Sequence, residues 1–254
     1  ERMSTLTTPA PVGASGRIIN VVKLNLANPW TTIIMPWMIL GILFAGSWVI
    51  WWLIVTAVGP SAGPDVLEGT QWSGASLWIF VYMMVVAIQA INLTFPLALG
   101  YGVTRRDFWL GTSLTFVLLT IMFTVGLTIL SVVEEATGGW GLGGRMFTAA
   151  YFGEDWLQRM FIFVTLMLFF YFFGAAIASV YVRWKATGVS AFFIAVGAIL
   201  IGAGAVVTFA ESWPQVWSFF GELGLTGIYA LLYPVTIVSA VVGYFILRWA
   251  TPKS

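Results

Sequence analysis

The chain alternates long apolar runs with short polar segments, and the run lengths carry the first inference. A helix needs about 20 apolar residues to cross a hydrocarbon layer of about 30 Å. Six runs reach that length, at residues 33–58, 74–99, 108–133, 159–182, 189–210 and 225–247. Membrane-crossing strands would show segments of about ten residues with period-two alternation, and the run FIFVTLMLFFYFF at 161–173 shows none. The pattern predicts an all-α, polytopic membrane protein with six transmembrane helices.

Ahead of the first run, RIINVVKLNLANPW at 17–30 sets Arg17, Asn20 and Lys23 at i, i+3, i+6 and Ile18, Val22 and Leu26 at i, i+4, i+8. A cationic edge beside an apolar one suits a helix lying in the headgroup layer. Pro29 interrupts the helix before the first span, so a separate amphipathic interfacial helix is expected, with Arg17 and Lys23 on its charged edge. Residues 1–16, rich in Thr, Pro, Ala and Gly, are expected to form a flexible tail, and 17–254 a single transmembrane domain. The start is not read as a secretory signal, because the first apolar run exceeds an h-region of about 7–15 residues.

Composition agrees and narrows the chemistry. Of 254 residues, 60% are hydrophobic and 8% charged, against roughly 25% charged in a soluble domain. Such a chain cannot build the charged shell of a soluble enzyme, and it is too apolar to stay disordered. There is no Cys and no His, which removes thiolate chemistry, disulfides, the usual near-neutral general base and the commonest transition-metal ligand. No catalytic, cofactor-binding or metal-binding residue is expected in this chain, and no nucleic-acid partner.

The charges sort by gap. The termini and even-numbered gaps hold Arg2, Arg17, Lys23, Arg105, Arg106, Arg183, Lys185, Arg248 and Lys253, whereas the odd-numbered gaps hold only Arg145 and Arg159. Such an asymmetry predicts cytoplasmic termini in a cell membrane. The acids mirror it: Asp65, Glu68, Glu134, Glu135, Glu154, Asp155, Glu211 and Glu222 fall on the other side. The adjacent pairs Glu134–Glu135 and Glu154–Asp155 lack the alternate spacing of a calcium loop and are read as a solvated, negative outer surface.

Within the spans there is no Asp, Glu, Lys or Arg away from the ends, so the charged residue typical of a proton-coupled carrier is absent from them. There is no GxxxxGK[ST] phosphate loop, and GGWGLGG at 138–144 reads as a flexible loop. Gln89 and Asn92 share a helical face at i, i+3, with Thr94 and Pro96 following. They either meet a substrate or hydrogen-bond a neighbouring helix. Gly41/Ala45, Gly174/Ala178 and Ala198/Gly202 are small pairs that allow close helix approach. Trp30, Trp72, Trp109, Trp156, Trp184, Trp213 and Trp249 lie near span ends, as aromatic belts do.

The segment 92–111, NLTFPLALGYGVTRRDFWLG, closes one span and opens the next. Arg105 and Arg106 satisfy the positive-inside rule there, and Phe108–Trp109 would anchor the interface. The order of residues also resembles the segment between the second and third spans in permease subunits of type-2 ABC exporters: a glycine ending the span, a small or hydroxyl residue, one or two arginines, an aromatic, then the next helix. The layout is similar too, as is ESWPQVWSFFGELG at 211–224 to that family's external, partly re-entrant helix. The outer loop 134–157 is longer and more aromatic than the family needs.

The resemblance implies a coupling helix that docks on a separate cytosolic ABC ATPase, which supplies ATP and Mg chemistry. Its residues would be Gly102, Val103, Thr104, Arg105, Arg106, Asp107 and Phe108, with Arg183 and Lys185 of the second inner turn nearby. It implies a second permease subunit, the same chain or a related one. It also places the second and fifth spans along the substrate path, with Gln89, Asn92, Phe192 and Phe193 as pathway candidates. A self-sufficient carrier or channel, or a membrane sensor or scaffold subunit, remains open beside this reading.

Overall fold

The structure, a computed structural model, describes residues 13–59 and 64–250. Every regular element among them is helical. The order is α1 (Ala14–Asn25), a π-helical turn Trp30–Ile34, α2 (Met35–Val58), short 3₁₀ segments, α3 (Trp78–Gln89), a second π-helical turn Ala90–Thr94, α4 (Phe95–Gly100) and α5 (Arg105–Ala136). After a glycine-rich loop come α6 (Trp156–Phe209), α7 (Trp213–Ala230) and α8 (Leu232–Trp249). Most of the expected tail lies outside the described residues; α1 begins at Ala14, and residues 26–29 separate it from the next helical turn.

Five helical stretches are long and apolar enough to cross a membrane: Trp30–Val58, Glu68–Gly100, Arg105–Ala136, Trp156–Phe209 and Trp213–Trp249. The expected runs 159–182 and 189–210 both fall within α6. That helix is not continuous, because Lys185 takes φ 58°, ψ −155°. A second break at Gly224 (φ 60°) interrupts α7.

Local chemistry explains the start of α5. Gly102 turns the chain at φ 77°, and the Thr104 hydroxyl then accepts the Asp107 N–H at 3.1 Å, capping an otherwise orphaned helical donor. The first half of α6 is the hub: helix α6 packs against α8, α3 and α5, while α1 lies along α5. Rings fill the centre. Phe116 stacks on Tyr171 at 4.8 Å, and Phe152 meets Phe163 edge-on at the same separation.

Of the small pairs, Gly174/Ala178 serves close packing. A Cβ on Gly174 would lie 2.7 Å from the Met84 carbonyl oxygen, whereas Gly41 and Gly202 have nothing within 4 Å of that position. Six of the seven expected belt tryptophans are exposed. Trp109 is the exception: it is buried, and its ring covers Gly243 of α8 so closely that a Cβ there would lie 2.6 Å from it.

Three buried threonines on α5, Thr120, Thr124 and Thr128, have hydroxyls with no partner among the described residues. Other helical hydroxyls bond back to the preceding turn, Thr115 to the Gly111 carbonyl at 2.9 Å and Thr165 to Phe161 at 2.8 Å. Beyond Lys185 the second half of α6 is exposed along its length, with Ile194, Ile199, Leu200, Ile201 and Phe209 facing outward.

At the far end of α5 the structure corrects one reading. Glu134 is not solvated; it is 1% exposed. Its carboxylate accepts the N–H groups of Met146 (3.0 Å), Phe147 (3.0 Å) and Thr148 (2.8 Å), the Thr148 hydroxyl (2.7 Å) and the Trp140 indole (2.8 Å). Donors to the charged form replace the water it gives up, so the glycine-bearing loop is pinned rather than free. Beside it, the Tyr151 hydroxyl bonds the Ser73 carbonyl, and burial holds that phenol above its ordinary pKa.

Gly174→Leu is expected to destabilise the helix pair by about 1–3 kcal/mol through overpacking, and Gly202→Leu by less than about 0.5 kcal/mol. Thermal unfolding of the two variants in one detergent separates them.

Candidate functional site

The expected charge pattern becomes a geometry. Arg17 Nε reaches Asp107 Oδ2 at 2.7 Å, and Arg105 donates through Nη1 to the Arg248 carbonyl at 2.6 Å. The beginnings of α1 and α5 and the end of α8 therefore meet at one end of the bundle. The far end of α5 carries Glu134 and Glu135, the latter paired with Arg159 at the start of α6. One end is basic and the other acidic.

At the basic end α1 is laid onto the backbone of α5. Gly111 makes this possible, since a Cβ there would lie 2.6 Å from the Val21 Cβ. Asn25 Nδ2 donates to Thr112 Oγ1 at 3.1 Å, and Val21 is fully buried. Arg17 and Asp107, read separately as an interfacial charge and a coupling charge, are one ion pair. Lys23 remains exposed on α1.

The structure divides the expected coupling residues. Gly102, Thr104 and Arg106 are exposed, and Val103 and Arg105 half-buried. Asp107 and Phe108 are buried, the latter against Phe95 at 5.1 Å. Only the first group presents a surface. Arg106 makes no hydrogen bond or ion pair among the described residues, whereas Arg105 is committed to α8. Arg183 lies over the Trp184 ring at 4.5 Å and Lys185 over Tyr181 at 5.9 Å, both exposed.

Beside α1 opens a cavity of about 450 Å³, walled by the end of α1, both π-helical turns and the inner face of α5. Its polar lining is made of amides and hydroxyls, Asn25, Asn28, Thr32, Gln89 and Thr94, amid leucines, Val86 and Phe116, and no charged side chain lines it. It can hydrogen-bond a neutral polar group joined to an apolar body, and its lining carries no acid and no base. Gln89 thus lines a cavity, but Asn92 does not. The wide turn begins at Ala90, so the three-residue step between them no longer keeps one face. Phe192 and Phe193 pack edge to face at 5.4 Å on α6 beyond Lys185 and do not line the cavity.

Asn25, Asn28, Thr32 and Tyr82 escaped the sequence reading, although a signal was present. Each π-helical turn begins six residues before a proline, Trp30 before Pro36 and Ala90 before Pro96. A widened turn pairs each carbonyl with the N–H five residues on, and Met35 N–H indeed bonds the Trp30 carbonyl. The next carbonyl, Thr31, faces Pro36, which has no N–H. The Tyr82 hydroxyl supplies the missing donor at 2.8 Å.

No protein-family model, curated protein or solved structure matches this chain.

Tyr82→Phe strands the Thr31 carbonyl and is expected to lower stability by about 1–3 kcal/mol. Tyr101→Phe, altering an exposed phenol, is expected to change nothing. Urea or thermal unfolding of the paired variants checks this.

Proposed function

We propose that this chain is the transmembrane permease subunit of an ABC exporter, moving a hydrophobic or amphipathic substrate outward while a separate cytosolic ATPase hydrolyses MgATP. The basic end then faces the cytoplasm with both termini, following the positive-inside rule, and the acidic end faces outward from the plasma membrane. The helix count follows. At about 1.5 Å per residue, the 54 residues of α6 would run about 80 Å unbroken, so the break at Lys185 divides it into the fourth and fifth of six crossings. Helix α1, with Arg17 and Lys23 on its polar edge, lies in the inner headgroup layer.

The observation that carries this reading is the junction at the basic end. An exposed turn, Gly102 to Thr104 with Arg106 beside it, is tied through Asp107 to α1 and through Arg105 to α8. A push on that turn reaches the first and last helices without slack. Closing ATPases would supply the push, and a bundle with two packed arrangements would convert it into opening. A second permease copy, or a related chain, completes the path. The cavity beside α1, uncharged and mostly apolar with a few amides and hydroxyls, suits an amphipathic substrate arriving from the inner leaflet. Arg106, which makes no hydrogen bond or ion pair among the described residues, is the residue to meet an acid on the ATPase.

The paired π-helical turns favour one further reading, since interrupted helices also build the binding sites of self-sufficient carriers. Ion-gradient-driven flux by the pure chain in liposomes without ATP would select it.

Arg106→Glu is expected to reduce ATP-driven transport about tenfold or more, because one desolvated partner of an ion pair is worth about 2–5 kcal/mol. Membrane insertion and unfolding temperature should stay unchanged. Reconstituted transport with the ATPase subunit gives the answer, and transport at the parent level would refute the coupling assignment.

A further inference from the structure

At the acidic end, remote from the basic junction, a second cavity of about 650 Å³ opens among Glu134, Glu135, Arg145, Thr148, Glu154 and Arg159, with Gln71, Ala150 and glycine backbone forming the rest of its wall. Its volume lies within the range of about 300–1,000 Å³ usual for small-ligand sites. Its shape is held in advance: the five donors that saturate Glu134 fix the loop 138–148 around it. A preformed cup avoids the ordering cost that weakens binding to mobile loops.

The charges of this cup do not all cancel. Glu134 is occupied by its donors. Arg159, 2% exposed, gives one terminal nitrogen to Glu135 and the other to the Glu154 carbonyl at 3.0 Å. Its Nε is buried and has no partner among the described residues. A charged donor left unfilled at such depth calls for an acceptor. Arg145 and the Glu154 carboxylate, both exposed, make no ion pair among the described residues. After the internal pairings the Arg145 guanidinium and the Glu154 carboxylate remain on the cavity wall, with the unpartnered Nε of the lining residue Arg159 buried behind it.

We propose that this cup binds a zwitterion, its carboxylate or phosphate set toward Arg145 and Arg159 Nε and its ammonium toward Glu154. A simple anion would meet Glu154 and Glu135, and a simple cation would meet Arg145; a group carrying both signs satisfies each. A free amino acid or short peptide and the headgroup of an aminophospholipid share this chemistry. The site does not depend on the exporter reading.

The test uses the full chain in phosphatidylglycerol nanodiscs and titration calorimetry. Phosphoethanolamine or glycylglycine is expected to bind at least about tenfold more tightly than inorganic phosphate or ethanolamine alone. Arg145→Gln, which removes no internal contact, should weaken that binding about tenfold, and Glu154→Gln should erase the preference for zwitterion over phosphate. Repeating the titration with phosphatidylethanolamine in the disc separates the sources: competition assigns the lipid headgroup, and undiminished binding assigns the free solute. The proposal fails if neither zwitterion outbinds the single-charge probes, or if Arg145→Gln binds as the parent does.

Discussion

Hydrocarbon offers no hydrogen bonds, so every polar group that enters it must find its partner in the protein, and this constraint orders most of what the chain does. It explains why the regular elements are helices, whose backbone bonds close within each segment. It also explains why the departures from helix come with compensation. The widened turn at Trp30–Ile34 places the Thr31 carbonyl opposite a proline, and a tyrosine from a different helix takes up the deficit. The packing of α3 against the turn that leads into α2 is therefore partly dictated by a defect in that turn. The neutral cavity lies where both widened turns open the bundle.

The same constraint makes α5 the spine. It carries a buried acid near each end, Asp107 and Glu134, and 27 residues of helix, about 40 Å, separate them. Each acid holds a segment distant in sequence. Asp107 ties down α1 through Arg17, 90 positions away, and Glu134 gathers the loop that follows. A carboxylate can serve in both places because donors surround its charged form. The helix between them is consequently fixed at both of its ends, while the second half of α6 and all of α7 bury little.

How far this was legible depended on whether the signal was local. Run length and charge asymmetry are local, and they carried the helical class, the separateness of α1 and the division of basic from acidic ends. Pairings are not local. Nothing in the order of residues joins Arg17 to Asp107 or Arg105 to the Arg248 carbonyl, so those charges read as independent surface groups. Glu134 looked solvated because its donors are mostly backbone N–H groups, which no side-chain pattern announces. Trp109 looked like an interfacial anchor until Gly243 on another helix supplied a slot for its ring. Gln89 and Asn92 shared a face only under a regular period, and the widened turn between them changed it. The repeated six-residue interval to proline was the readable sign of that irregularity.

The unpartnered hydroxyls of Thr120, Thr124 and Thr128 carry a different consequence. They recur at the helical repeat, one above another, and no bond fastens any of them to the neighbouring surface. Four residues rise about 6 Å, so that step, with a small rotation, would set each threonine where the next had been and break no hydrogen bond of theirs among the described residues. Its register is held elsewhere, by the terminal acids, the Asn25–Thr112 bond, the Phe116–Tyr171 and Trp37–Phe123 stacks and the close approach of Gly111 to Val21, so the threonine row is a smooth stripe on an otherwise toothed rod.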